Sequence, residues 1–356
     1  PCGEQPLPPY GACLLGSINL ARLIQQPFTE AAHLDVKALE ALATIAVRMM
    51  DNVIDLSRFP MDAQRQEAMA KRRIGLGVTG LADALMMCRT RYGSADSLKL
   101  TEQWLASLRD AAYRASIDLA GEKGAFPLFQ AEPYLTGESI AELPEDIRKD
   151  IGRYGIRNAL VTSIAPTGTI SLVAENVSSG IEPAFSFRAH RKVLAPDGSR
   201  ESHEVVDYAY RLYRDLFGAE SELPDYFVDA QALQPEDHLA IQAVAQRFID
   251  SSISKTINLP AEISFQAFKD VYARAYALGC KGCTTYRPNE ITGSVLSVEG
   301  TPPAEAAALP QATQSEGDVV YMSQPLDRPG ALEGLTYKLR WPESDHATYI
   351  TINDVM

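Results

Sequence analysis

The chain has 356 residues, 46% of them hydrophobic, and a formal net charge of −13. That length supports a large core, usually divided into two domains, and that composition excludes a disordered polymer. The acid excess argues against a nucleic-acid binder, which needs a basic face, and no apolar run approaches the roughly 20 residues of a membrane-spanning helix. Residues 1–20, PCGEQPLPPYGACLLGSINL, are rich in Pro and Gly before turning apolar and read as extended loop. Residues 36–56 place Val36, Leu39, Leu42, Ala46, Met49 and Val53 on one stripe, which predicts an amphipathic helix. Further helices are expected over 80–88 and 101–121. Leu160 to Ala165 reads as a buried strand that runs into Pro166-Thr167-Gly168-Thr169 and then a helix-like ISLVAEN. Residues 236–250 read as helix and ISKTINL as strand. Ser264 can cap a helix carrying Phe265, Phe268, Tyr272, Ala275 and Leu278, with Gly279 as its stop. CKGCTTY reads as the next strand, and strand–helix–strand predicts a parallel α/β layer.

The composition shifts to Ala, Pro, Gln, Ser and Glu over 297–330, as in a linker. After it, YKLRWPESDHATYITIND alternates like paired strands and stops at Met356, too soon to build a core. The expected organisation is therefore a main domain over 1–296, the linker, and the start of a truncated small domain over 331–356. No internal repeat is visible. The chain opens on Pro1 rather than Met, so a cut or processed start is expected. No secretory signal is visible. The five cysteines are Cys2, Cys13, Cys88, Cys280 and Cys283. An odd number in a large acidic chain fits a reducing cytoplasm better than a secreted disulfide scaffold.

Several groups of residues can carry chemistry. In extended backbone, residues two apart share a face, so Cys2 and Glu4 would turn a thiol and a carboxylate toward one substrate, with Gly3 allowing close approach. Spacing alone is better served by a stray Cys and Glu on a terminal loop. Cys13 reads by itself as a small buried thiol in the GACLLGS turn. Ala165 to Ser171 runs from a strand through a Gly turn into a helix start, where free N–H groups favour an anion and the hydroxyls of Thr167, Thr169 and Ser171 add donors. A capped helix that binds nothing is the alternative, and the absence of Gly-Lys-Ser/Thr excludes a nucleotide-hydrolase P-loop. Gly75, Gly77 and Gly80 form a literal G-x-G-x-x-G, but the preceding AMAKRR is basic and helical, which argues against a dinucleotide fold. Cys280-x-x-Cys283 has no second pair or nearby His, so it makes a poor zinc site and reads as structural thiols or a redox pair. His33, His190, His203, His238 and His346 form no metal spacing or triad. The acidic clusters near 139–150 and 216–237 read as solvated faces.

The longer segments are more specific. PCGEQPLPPYGACLLGSINLARL resembles the finger-loop segment of ribonucleotide reductases, and in particular of the adenosylcobalamin-dependent class. LVTSIAPTGTISL resembles the substrate-phosphate loop of that family. SSGIEPAFS, RRIGLGVTGLADAL and GCKGCTTYRPN also match it, and no role is assigned to Glu182. The resemblance runs from Pro1 to about Leu296 and resumes at YKLRWPESDHATYITIND.

It implies the C-terminal portion of a catalytic subunit: an α/β chain holding the second half of a ten-stranded α/β barrel with its central finger loop, plus the start of a truncated C-terminal domain. The implied catalytic residues are Cys2 as thiyl radical, Glu4 as proton acceptor and Cys13 as redox-active thiol, whose partner lies in the upstream half. Pro1, Gly3, Pro166, Thr167, Gly168, Thr169 and Ile170 are implied to bind substrate. The family's asparagine would stand just before Pro1 and is absent here. Family members that receive a radical from a separate subunit carry adjacent tyrosines where Thr284 and Thr285 stand, although Tyr286 follows. A threonine hydroxyl cannot replace a redox-active phenol, so the implied cofactor is adenosylcobalamin, with no His assigned to cobalt.

In the implied reaction, the Cys2 thiyl takes the 3′-hydrogen of a ribonucleotide and Glu4 takes the 3′-hydroxyl proton. The 2′-hydroxyl leaves as water, a dithiol including Cys13 supplies electrons, and the hydrogen returns. The implied partners are a ribonucleoside diphosphate, a thioredoxin-like or dithiol reductant and the upstream N-terminal half of the reductase, with no nucleic acid and no membrane. Two alternatives are a large subunit served by a separate radical-generating protein and a non-catalytic fragment that completes a barrel in trans.

Overall fold

The structure is a computed structural model that describes residues 3–194, 200–287, 296–298, 334–340 and 347–353. β1 (Leu14–Asn19) leads through a 3-10 turn and the short strands β2 (Ile24–Gln25) and β3 (His33–Leu34) into α1 (Val36–Leu56). There follow α2 (Asp62–Lys71), β4 (Ile74–Thr79), α3 (Leu81–Met87), α4 (Ala95–Lys123), α5 (Ala131–Leu135), α6 (Glu138–Ala141), α7 (Glu145–Tyr154) and α8 (Gly168–Val173). Then come β5 (Arg188–Leu194), β6 (Arg200–Val206), α9 (Tyr208–Phe217), α10 (Pro235–Gln246), β7 (Thr256–Asn258), α11 (Phe265–Ala277), β8 (Thr284–Tyr286) and β9 (Leu296–Val298). The last described elements are β10 (Gly334–Arg340) and β11 (Ala347–Asn353).

The chain divides into two compact units, 1–301 and 302–356. In the second, β10 and β11 pair antiparallel from Gly334 opposite Asn353 to Arg340 opposite Ala347, as their alternation predicts. Most of the expected linker, residues 299–330, lies outside the described residues.

Parallel segments form the inner layer of the first unit. β1 pairs with β4 in register from Leu14 and Ile74 to Asn19 and Thr79. Thr162 bridges Leu76, Ile164 bridges Ile253, and β7 pairs with β8, each parallel. The described strands do not form a closed sheet. β1 arises within residues expected to be loop, because LLGSIN finds a wholly buried partner in β4. Leu160–Ala165, expected as a strand, contributes bridges at Thr162 and Ile164 only. There the Asp250 carboxylate accepts from Val161 N (2.7 Å) and Thr162 N (3.0 Å), which removes those donors from a regular ladder. The three glycines of the G-x-G-x-x-G lie in or just after β4. A Cβ on Gly77 would fall 2.1 Å from Ser163 O, so this glycine answers to strand packing.

α1 has the expected bounds but buries a different face. Asp35 caps it by accepting from Ala38 N at 3.0 Å. Its buried residues are Leu39, Ala43, Val47, Met50, Asp51 and Ile54, whereas Val36, Leu42, Met49 and Val53 of the expected stripe are exposed. The helix is apolar over much of its circumference, and contact with α4, β1 and β4 selects the face. Gly16 helps, because its missing side chain leaves room for the Met50 sulfur. Asp51 is admitted to that face because Arg72 (2.8 Å), Lys123 (3.3 Å) and Arg157 (3.3 Å) surround it, the condition for burying a carboxylate. No described helix is long and apolar enough to cross a membrane.

Candidate active site

The first described residue is Gly3, in the left-handed region at φ 91°, and the chain passes from it to Glu4, which is 6% exposed. The Glu4 carbonyl accepts from Ser252 N and from Ser163 Oγ, both at 3.0 Å. Those serines follow the bridged Thr162 and precede the bridged Ile253, so the loop lies across the parallel layer. Gly282 closes the other side. A Cβ there would stand 2.7 Å from Ser252 Oγ and 3.4 Å from the Gly3 carbonyl. Pro1 and Cys2 lie outside the described residues.

Cys13, half-buried, is coupled electrostatically to Glu4. Burial pushes its thiol up to about 12, the Arg73 cation opposes that, and the nearby Glu4 charge adds to it. Glu4 and Cys13, far from adjacent in sequence, are thus within electrostatic reach of each other.

The second part of the site is the turn before α8. Thr167 has φ 52° and ψ 16°, left-handed backbone that a β-branched residue rarely adopts, at a cost of order 1–3 kcal/mol. Its hydroxyl holds it there by accepting from Gly180 N (2.7 Å) and bonding Thr79 Oγ1 (2.9 Å). Thr79 already donates to Ser178 O (2.9 Å), so the proton between the two threonines comes from Thr167. Ser171 is also turned inward, toward Gly168 O and Ser179 Oγ. The expectation of three hydroxyls facing an anion is therefore corrected. Two of them, Thr167 and Ser171, secure the turn itself, because a strained left-handed residue needs an internal anchor. Gly168, Thr169 and Ile170 are exposed, and the N–H groups of a first helical turn have no intrahelical acceptor. Pro166 is half-buried beside them.

A third group was not anticipated. Lys255, 1% exposed, donates to Glu182 Oε2 (2.6 Å), Thr256 O (2.6 Å) and His238 Nδ1 (2.7 Å). Thr256 N donates to Glu182 Oε1 at 2.6 Å. Burial lowers the Lys255 pKa while the Glu182 charge opposes that shift. Burial, and then the Lys255 charge, push His238 down to about 3, so its ring is neutral at physiological pH. With Nδ1 accepting from Lys255, the ring proton sits on Nε2, a buried atom without a hydrogen-bond partner in the structure. One signal was available in ISKTINL: a lysine inside an apolar strand is rarely buried unless paired. The sequence does not say with what.

Cys280 and Cys283 are partly buried against Ile257, Leu259, Val271 and Ala275. Burial pushes Cys280 up to about 11. Thr285 Oγ1 lies 3.0 Å from Tyr272 Oη, while Thr284 and Tyr286 are exposed. Among the described residues no group of three or more His, Cys, Asp or Glu side chains could hold a metal ion. His346 lies outside the described residues. A 440 Å³ cleft lined by Thr44, Arg48, Ile117 and Glu122, and a 510 Å³ cleft lined by Glu102, Arg109 and Phe248, include none of the residues described above.

The family profile "Ribonucleotide reductase, barrel domain" matches residues 1–286, and the chain belongs to that family. Among curated relatives, a vitamin B12-dependent ribonucleoside-diphosphate reductase of Mycobacterium tuberculosis is 37% identical over 329 residues, covering 86% of this chain and 43% of the relative. One of the same name from Thermoplasma acidophilum is 34% identical over 313 residues, covering 83% of this chain and 38% of the relative. A ribonucleoside-diphosphate reductase subunit alpha of Chlamydia pneumoniae is 27% identical over 315 residues, covering 77% and 29%. The chain spans about two fifths of the length of the B12-dependent relatives.

Proposed function

We propose that this chain is the site-bearing portion of a vitamin B12-dependent ribonucleoside-diphosphate reductase that acts through a thiyl radical on Cys2. The observation that carries the reading is Glu4, buried on the loop that crosses the parallel layer and within electrostatic reach of Cys13. The parallel run from β1 through β4, Thr162–Ile164 and Ile253 to β7 and β8 is read as the second half of a ten-stranded barrel. The upstream half of the reductase would supply the rest.

In this reading the ribonucleoside diphosphate lays its phosphates against the exposed main chain of Gly168–Ile170, preceded by Pro166 and Thr167, while Pro1 and Gly3 line the sugar. Cys2 stands two residues before Glu4, so its sulfur can take the 3′-hydrogen while Glu4 takes the 3′-hydroxyl proton. The Glu4 main chain is pinned on both sides, which keeps the carboxylate at one height above the layer; such placement underlies general-base catalysis. The 2′-hydroxyl leaves as water. Two thiols, Cys13 and one from the upstream half, become a disulfide and provide the two electrons and two protons that the exchange of C–OH for C–H plus water requires. The hydrogen then returns from Cys2 to C3′. A thioredoxin-like or other dithiol reductant restores the thiols. A Cys13 thiol pushed to about 12 stays protonated between turnovers, which suits a hydrogen donor better than a solvent-reactive thiolate.

A bulky cofactor needs an open, uncharged surface beside the radical cysteine, and the uncharged run Gly282 to Tyr286 offers one. Gly282 lies against Gly3, Thr284 and Tyr286 are exposed, and these residues would hold adenosylcobalamin there. When bound, it would supply the one-electron oxidising equivalent for Cys2.

The test is reduction of CDP to dCDP by this chain combined with its upstream half, with and without adenosylcobalamin. Turnover that needs the cofactor and disappears in Cys2→Ala supports the reading. An assembled pair inactive under every cobalamin condition would overturn it.

A further inference from the structure

The segment Ser178–Glu182 is tied down at nearly every residue. Ser178 N donates to Asp83 (2.7 Å), Gly180 N to the Thr167 hydroxyl (2.7 Å), and the Ile181 carbonyl accepts from Tyr92 Oη (2.6 Å). At its end the Glu182 carboxylate takes Thr256 N with one oxygen and Lys255 Nζ with the other. The segment thus spans from the strained turn at Thr167 to the start of β7. A buried ion pair is an expensive way to gain stability, because desolvating both charges offsets most of their attraction, and an apolar pair of similar size does as well. What the pair adds over an apolar contact is direction: fixed short bonds set the height of one segment against the other. His238 sharpens this, since its Nδ1 occupies a third Lys255 proton and so limits the ammonium to one orientation.

We propose that Glu182, clamped by Lys255, is a positioning residue for substrate phosphate, setting through Gly180 and Thr167 where the Gly168–Ile170 main chain stands. The proposal rests on the reading of that turn as the phosphate site, which the experiment checks separately.

CDP reduction is measured in the chain assembled with its upstream half. Glu182→Ala combined with Lys255→Met removes carboxylate and ammonium together and leaves no unpaired charge inside. The expected result is a thermal midpoint within about 5 °C of the parent. KM for CDP rises on the order of tenfold while kcat changes less than about twofold, the pattern of lost uniform binding. An unchanged KM overturns the proposal. If the double variant does not fold, Glu182→Gln decides, because it retains one acceptor oxygen of two; a raised KM supports the clamp and a parental KM overturns it. Thr169→Glu, which places a carboxylate on the exposed turn, is the control. A parental KM in that variant overturns the phosphate reading and the clamp with it. A raised KM there beside a parental KM in the double variant overturns the clamp alone.

Discussion

The two parts of the candidate site are anchored in opposite ways. At Glu4 the main chain is held, through its carbonyl, by Ser252 N and Ser163 Oγ. At Thr167 the side chain is held, through its hydroxyl, by Thr79 and Gly180 N. The first arrangement commits backbone to structure, and in the proposed reading the carboxylate carries the chemistry. The second commits a side chain to structure, and in the proposed reading the following backbone N–H groups meet the phosphate. A residue that works by its side chain and one that works by its main chain therefore need different neighbours, and the fold supplies a serine N–H and a serine hydroxyl to one and a threonine hydroxyl with a glycine N–H to the other.

The sharpest way to break this contrast is Glu4→Gln. Because the anchor is the main-chain carbonyl, the fold and its melting temperature are expected to persist while CDP reduction by the assembled enzyme falls on the order of 10²–10⁴-fold. Activity near the parental value would remove Glu4 as the base.

Next in size is the reactivity of Cys13. A thiol pushed from its ordinary range to about 12 carries roughly a thousandfold less thiolate near neutral pH, so iodoacetamide at pH 8 should label it about that much more slowly than an unfolded control peptide. Equal rates, read by mass spectrometry, would contradict the raised thiol.

Thr167→Ala tests the other anchor. It leaves Gly180 N without its 2.7 Å acceptor, for an expected loss of about 1–3 kcal/mol in urea unfolding, whereas Thr167→Ser keeps the hydroxyl and should stay close to the parent. If both variants unfold alike, the hydroxyl is not the anchor.

The smallest effect concerns pH. His238 is held at about 3, below its value in the unfolded chain, so the unfolded state binds the additional proton. The stability from keeping the ring neutral is complete above about pH 6.5 and is lost as pH falls toward 3, at up to about 1.4 kcal/mol per pH unit. Comparing urea midpoints at pH 7 and pH 5 for the parent and His238→Gln should show a shallower pH dependence in the variant; identical dependence would assign the acid sensitivity elsewhere.

Much of the architecture was legible where a local signal was strong. α1 runs over the 36–56 its apolar content predicts, α11 begins after its Ser264 cap and ends before Gly279, and β10 and β11 pair as their alternation suggests. The G-x-G-x-x-G was rightly separated from a dinucleotide site, although its reason is visible only where Gly77 meets the Ser163 carbonyl. The buried face of α1 was not legible, because a helix that is apolar over most of its surface leaves the choice of face to its neighbours. The antiparallel sheet of β6, β5 and β9 also went unforeseen: β5 and β6 form a local hairpin, whereas β5 and β9 join residues about a hundred positions apart.

By itself the sequence determined the family, several of the helices, the pairing of β10 with β11, and a candidate set that includes Glu4, Cys13 and Pro166–Ile170, because short motifs and helix caps act over a few neighbouring positions. Only the tertiary structure decided that Thr167 turns its hydroxyl inward, that Cys13 comes within electrostatic reach of Glu4, and that Glu182 and His238 meet on the buried Lys255. Those facts depend on which distant groups satisfy each other once water is excluded, and a buried charge or donor takes its partner from space rather than from sequence.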